Sequence, residues 1–144
     1  MKILAIDLGT VRTGLAICDR SEVLASPIGT VTQRDSEALL DLVVQTAREQ
    51  GAEEIVLGHP RNMDGSRGES ARRSEEFAAR LRERLSVPIR LWDERMTTVS
   101  AIGVLNETNT RGKKRKAVVD TVAATIILQD YLESRRLQQD GKRD

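Results

Sequence analysis

The sequence predicts an α/β fold: a mixed five-stranded sheet, with three antiparallel strands first and two parallel strands after, flanked by helices. Three observations predict it. Up to residue 32 the apolar residues fall in short runs broken by turn signals, which is strand character. From residue 35 the apolar period lengthens to three and four, which is helical. Apolar strands then alternate with helical stretches, the pattern of parallel strands joined by crossover helices.

Lys2-Ile-Leu-Ala-Ile-Asp7 is a strand closed by an acid. Leu8–Gly14 carries two glycines and reads as a turn, and Leu15-Ala-Ile-Cys-Asp19 resumes the strand. Val23-Leu24 and Ile28–Val31 supply the third. Asp35 or Ser36 caps a helix whose apolar face is Leu39, Leu40, Val43, Val44 and Ala47, and Gly51 stops it. Ile55-Val-Leu57 is a buried strand ended by Gly58-His59-Pro60. Residues 61–69 have no apolar period and read as a loop, fit either to close over a substrate or simply to move. A second helix starts near Ser70, with Phe77, Ala78, Leu81 and Leu85 on one face, and Val87–Trp92 is the fifth strand. A third helix is expected from Thr97 or Thr98, with Ala101, Val104 and Leu105 on its face, and a last one from about Lys114 to Arg136.

At 144 residues the chain suits one domain, expected over residues 1–138, with a polar tail over 139–144. No apolar run nears the roughly 18–20 residues of a membrane span, and Asp7 interrupts the first apolar stretch too early for a signal peptide. A soluble, cytoplasmic chain without a membrane partner is therefore expected. One cysteine, Cys18, excludes both an internal disulfide and a cysteine-rich zinc site.

Three placements of acid stand out. Asp7 ends the first strand, Asp93-Glu94 ends the fifth, and Asp120 shares a helix stripe with Ala123, Ala124, Ile127, Leu128 and Tyr131. A charge facing a core costs several kcal/mol, of order 3–5, unless it is paired or binds a cation. Converging carboxylates without histidine or thiol suit Mg2+ or Mn2+. Two such ions about 4 Å apart activate water and steady the leaving oxygen of a phosphodiester. Each acid also has an ordinary reading. Asp7 can cap a turn, Asp93-Glu94 can be a solvated loop paired with Arg95, and Asp120 can offset the helix dipole. Strand alternation alone does not say whether Asp93 or Glu94 points inward.

The run Arg111-Gly-Lys113-Lys114-Arg115-Lys116 places five positive charges just before Asp120. It suits a phosphate backbone gripped without base readout, and it equally suits a solvated face. Arg12, between Gly9 and Gly14, points to phosphate or to solvent. His59, the only histidine, reads as a loop residue rather than a ligand. Aromatic residues make up 2% of the chain, too few for a base-stacking platform.

Asp7-x-Gly9-x-x-Arg12-x-Gly14, Gly58-His59-Pro60, Asp93-Glu94-Arg95 with Thr97-Thr98, and Lys116-x-x-x-Asp120-x-x-Ala123-Ala124 together resemble the YqgF family. This family is also called the RuvX or pre-16S rRNA nuclease family, and it is related to the RuvC-type Holliday junction resolvases. The resemblance covers roughly residues 3–128. It implies an RNase H-like fold, a metal-dependent nuclease with two Mg2+ or Mn2+ ions, and action in maturing the 5′ end of pre-16S rRNA. By that similarity Asp7, Glu94 and Asp120 are the catalytic, metal-binding carboxylates, with Asp93 the rival to Glu94. Arg12, Arg95 and Lys116 then face the substrate, with Lys113, Lys114 and Arg115 beside them. His59 and Thr13 depart from the usual apolar residues of the family and bear on packing and substrate preference.

The implied partner is RNA, with structured or single-stranded DNA as the alternative. A junction resolvase cutting two strands symmetrically would require a homodimer. A non-catalytic ribosome-assembly or nucleic-acid-binding factor is the second alternative. Ile6-Asp-Leu-Gly-Thr10 also resembles the first phosphate loop of actin-like and sugar-kinase ATPases, which need two such domains where 144 residues supply one.

Overall fold

A computed structural model describes residues 1–94 and 112–141, with the side chains of 112–121 and 139–141 outside that description. The elements are β1 (Ile3–Asp7), β2 (Arg12–Cys18), β3 (Ala25–Thr32), α1 (Ser36–Gln50), β4 (Glu54–His59), α2 (Glu69–Arg84), β5 (Ile89–Asp93) and α3 (Gly112–Gly141). They build one sheet in the order β3-β2-β1-β4-β5. β1, β2 and β3 pair antiparallel, whereas β4 joins β1, and β5 joins β4, in parallel. The expected mixed sheet is the observed one.

β1 is central and buried on both faces, which is why it reads as an unbroken apolar run rather than an alternating one. Leu4 and Ile6 pack with Leu39, Val43 and Phe77 beneath α1 and α2. Ile3 and Ala5 turn the other way, with Ala16, Val56, Ala124, Ile127 and Leu128 beneath α3. The small Ala5 and Ala16 let α3 lie close across β1, β2 and β3. Among the described residues, two helices thus cover one face of the sheet and one long helix covers the other.

The local signals act where they were read. Asp35 is the N-cap of α1, its side chain accepting from the Glu37 N–H at 3.3 Å. Gly51 closes the helix in the left-handed region at φ 66°, where glycine carries no Cβ penalty. Some boundaries differ. β3 begins at Ala25, and Val23 and Leu24 are exposed in the preceding turn, where Asp19 accepts from the Val23 N–H. β3 is an edge strand whose register slips beside Pro27, a residue that an edge tolerates because it owes no ladder hydrogen bond. α3 runs from Gly112 to Gly141, past Arg136 and into the expected tail. The helix expected from Thr97 or Thr98 lies outside the described residues. Among the described residues no helix is long and apolar enough to cross a membrane.

Candidate active site

Parallel pairing brings the C-terminal ends of β1, β4 and β5 to one edge of the sheet. Ile6 lies opposite Leu57, Gly58 opposite Trp92, and His59 opposite Asp93. Alternation then sorts the side chains by face. Ile3 and Ala5 face α3, and so does Asp7, two residues on. Trp92 packs on the α3 side, and so Glu94 returns to that side while Asp93 takes the opposite one with His59. Geometry separates Asp93 from Glu94: Glu94 shares a face with Asp7, and the two carboxyl groups hydrogen-bond.

Gly58 makes room for this pair. A Cβ there would come within 2.7 Å of Glu94 Oε1 and 3.0 Å of Ile127 Cδ1. The Glu94 carboxylate therefore lies on bare backbone, walled by α3. Burial pushes the Glu94 carboxyl up, the charge of Asp7 and their shared hydrogen bond push it further, and Asp93 adds to the rise, to about 8. Every group acting on Glu94 among the described residues is another carboxylate. The upward shift makes Glu94 the acid of the pair that holds its proton, with its O–H donating to Asp7.

Glu54, at the other end of β4, shows the opposite solution. It is 1% exposed and accepts from Arg90 Nε at 2.7 Å and from the Tyr131 hydroxyl at 2.8 Å, with Arg135 Nη1 at 3.6 Å. Its burial is compensated within the fold. The groups that shift Glu94 are Asp7 and Asp93, both acids. Two partly buried carboxylates in hydrogen-bond contact, offering hard oxygen donors, fit a divalent cation of the Mg2+ or Mn2+ kind.

The third acid is placed only by its helix. α3 lies antiparallel to β4, since Tyr131 meets Glu54 at one end and Ile127 meets Gly58 at the other. Position 120 is two turns, about 10 Å, before Ile127 on the same stripe as Ala124. The helix therefore carries it beyond Gly58, toward the edge that holds Asp7 and Glu94. The side chains of Asp120, Lys113, Lys114, Arg115 and Lys116, and the whole of Arg95, lie outside the described residues. The described residues hold no cluster of three His, Cys, Asp or Glu ligands. Arg12 opens β2 at this same edge, and alternation from Ala16 and Cys18 sets it on the α3 face with Asp7.

Several neighbours give no sign in the sequence. Gly58 reads there as a strand stop, yet it is the floor under Glu94. His59 belongs to β4 rather than to a loop, and its Nε2 lies 2.7 Å from Glu75 Oε2 on α2. Glu75 also accepts from Arg67 at 2.8 Å and stays ionised below the usual range, chiefly through the His59 hydrogen bond. The segment between β4 and α2 closes on itself: Asn62 N–H donates to Ser66 O at 2.9 Å, Arg61 Nη2 to Gly65 O at 2.6 Å, and Ser66 N–H to Asp64 Oδ1 at 2.9 Å. Nothing in the sequence marks Glu75 among the many surface acids of a helix.

Gly9, by contrast, is legible. A Cβ there would come within 1.9 Å of the Arg12 carbonyl oxygen, so the β1–β2 turn admits no side chain at that position.

Comparison with known proteins agrees with this architecture. Solved chains of similar fold include Thermus thermophilus RuvC, with a TM-score of 0.58 at 12% identity, covering 94% of this chain and 96% of that one. The fowlpox virus Holliday junction resolvase gives 0.56 at 14% identity, covering 93% and 99%. Curated relatives named "Putative pre-16S rRNA nuclease" include one from Lachnospira eligens, 42% identical over 94% of this chain and 99% of the relative. Another, from Protochlamydia amoebophila, is 45% identical over 93% and 94%. The family described as "RuvX: Holliday junction resolvase" matches residues 1–134, and the chain belongs to that family.

Proposed function

We propose that this chain is a divalent-metal-dependent nuclease that hydrolyses phosphodiester bonds of RNA, in 5′-end maturation of pre-16S rRNA. The observation that carries the reading is the Asp7–Glu94 pair: two partly buried carboxylates sharing a hydrogen bond at the C-terminal edge of a parallel sheet, where α/β folds bind ligands.

Asp7, Glu94 and Asp120 would hold the cations. When bound, Mg2+ or Mn2+ supplies Lewis-acid chemistry at the scissile phosphate and lowers the pKa of an attacking water. The chain's own residues do the rest. Glu94 would give up its proton to solvent, making the Asp7–Glu94 pair dianionic. Gly58 and Ile127 fix where that carboxylate rests, and Arg12 stands on the same face for a phosphoryl oxygen. Arg95, Lys113, Lys114, Arg115 and Lys116 are assigned to the phosphate backbone, which predicts salt-sensitive binding with little base preference.

The deciding assay offers a pre-rRNA leader, single-stranded DNA and a four-way junction, each with cation and with chelator. Metal-dependent cleavage of the leader, abolished in Asp7→Asn and Glu94→Gln, is the expected result. Unchanged turnover in either variant, or in chelator, would sink the reading. The likeness to Holliday junction resolvases favours a second reading, a DNA endonuclease working as a homodimer, and preferential cutting of the junction would select it.

A further inference from the structure

On the other face of the sheet, directly behind the candidate catalytic edge, lies a cleft of about 350 Å3 whose walls come from three parts of the chain. Leu8, Gly9 and Thr10, the three residues after Asp7, line one side. Arg34 enters from the β3–α1 connection, and Arg73 and Arg80 from α2, seven residues apart and so on one helix face. The apolar lining is Leu8, Leu39 and Phe77. The volume is at the small end of ligand pockets, which run from about 300 to about 1,000 Å3.

The charge of the cleft is unbalanced. Three guanidiniums face a single lining carboxylate, Glu76. Arg80 is paired with Glu37. Arg34 and Arg73 make no ion pair with any described residue, although carboxylates are plentiful on α1 and α2. Structural arginines on these helices look different: Arg84 holds Asp41 at 2.9 Å, and Arg82 donates to Ile89 O at 2.7 Å. A cationic cleft with an apolar floor suits a nucleotide unit, its phosphate on guanidinium and its sugar or base on Leu8 and Phe77.

Its position supplies the identity of the occupant. Gly9 is two residues beyond Asp7, no more than about 7 Å of extended chain. The backbone that bears the candidate catalytic acid is thus also the wall of the cleft. A strand crossing the C-terminal edge over the Leu8–Thr10 turn would pass from the Asp7–Glu94 face into this cleft. We infer that the cleft is a nucleotide subsite, holding a phosphate of the substrate strand that flanks the scissile one through Arg34 and Arg73. The inference rests on the nuclease reading for its substrate, and its test is independent of turnover.

The test is binding of a labelled single-stranded RNA of about 12 nucleotides in chelator, by fluorescence anisotropy from about 50 to about 200 mM salt. The Arg34→Ala/Arg73→Ala variant is expected to bind at least about tenfold more weakly, two charge-assisted contacts being lost. The slope of log K against log salt should shrink by about 0.7, the single-strand value for the one phosphate released. The Arg34→Lys/Arg73→Lys variant should keep the parent slope, because the charge remains. Arg20→Ala/Arg48→Ala removes the same charge elsewhere, at the opposite edge of the sheet and the far end of α1, and should stay within about twofold of the parent. Parent-like affinity in the cleft variant, or an equal loss in the Arg20/Arg48 variant, would overturn the inference. The two readings fail separately. RNA bound through the cleft but never cut would sink the nuclease reading alone, whereas metal-dependent cutting with an indifferent cleft would sink only the subsite.

Discussion

Glu54 and Glu94 are the same residue type, one buried and one partly buried at opposite ends of the β4–β5 pair, and their surroundings give them opposite behaviour. Glu54 is met by Arg90, Tyr131 and Arg135; Glu94 is met by Asp7 and Asp93. The raised carboxyl of Glu94 has a consequence for stability. The unfolded chain ionises it near the ordinary 4.5, whereas the folded chain keeps its proton to about 8, so between these values the folded state binds the extra proton. Its stabilising contribution is complete below about 4.5 and is lost as pH rises through about 8. Thermal denaturation of the metal-free chain should therefore show a falling Tm across this window, with a shallower fall in Glu94→Gln. Mg2+ or Mn2+ should raise Tm most at the alkaline end, where ligand deprotonation no longer opposes binding. A Tm flat with pH in the parent would contradict the shared proton. Gly58→Ala makes a second prediction at this scale. The atoms it meets are ends of flexible side chains, so the fold should survive with a Tm drop of a few degrees, while displacement of the Glu94 carboxylate by about 1 Å should cost about 100-fold in cleavage rate. Circular dichroism and a single-turnover assay on the same preparation separate the two effects.

Between elements, the segment from β4 to α2 is tied by its own hydrogen bonds and by Glu75, which grips His59 at the strand end and Arg67 on the segment. Closure over substrate by a freely moving loop is not what these contacts describe. Glu75→Gln should loosen residues 60–68 selectively: amide hydrogen exchange should rise there and remain unchanged in β1 and α1. Uniform protection in that variant would assign the ties no role. α3 is read differently at its two ends. From Ala124 to Leu132 the apolar stripe that the sequence shows is the stripe that packs. Tyr131→Phe, which removes a donor from Glu54 far from the catalytic edge, should cost about 1–3 kcal/mol in denaturant unfolding and leave cleavage intact.

At the scale of the whole molecule, the sheet is a partition with a different chemistry on each side of one edge. The α3 side carries the proton-sharing acids, and the α1–α2 side carries the arginine cleft. Removing metal should therefore separate two properties that a single site would lose together. With chelator present the protein should cut nothing yet retain RNA with an affinity within about threefold of that in Ca2+, because most of the binding free energy is phosphate contact. Loss of binding on chelation would place the substrate's grip on the cation instead. This layout also explains why a single strand end, Asp7 with the turn that follows it, serves both sides.

The amino-acid sequence by itself determined the order of the described elements, the apolar faces of α1 and α2, the Asp35 and Gly51 caps, and the acids that end β1 and β5, because periodicity, capping and turn chemistry act between residues close in the chain. The resemblance added the family and the triad of Asp7, Glu94 and Asp120. Only the tertiary structure decided which of Asp93 and Glu94 joins Asp7. That choice depends on the pairing register of β4 with β5, and a shift of one residue would have exchanged them. The floor at Gly58, the Glu75 ties and the convergence of Arg34, Arg73 and Arg80 belong to the same class, being contacts between segments far apart in sequence whose meeting is fixed by packing across the sheet.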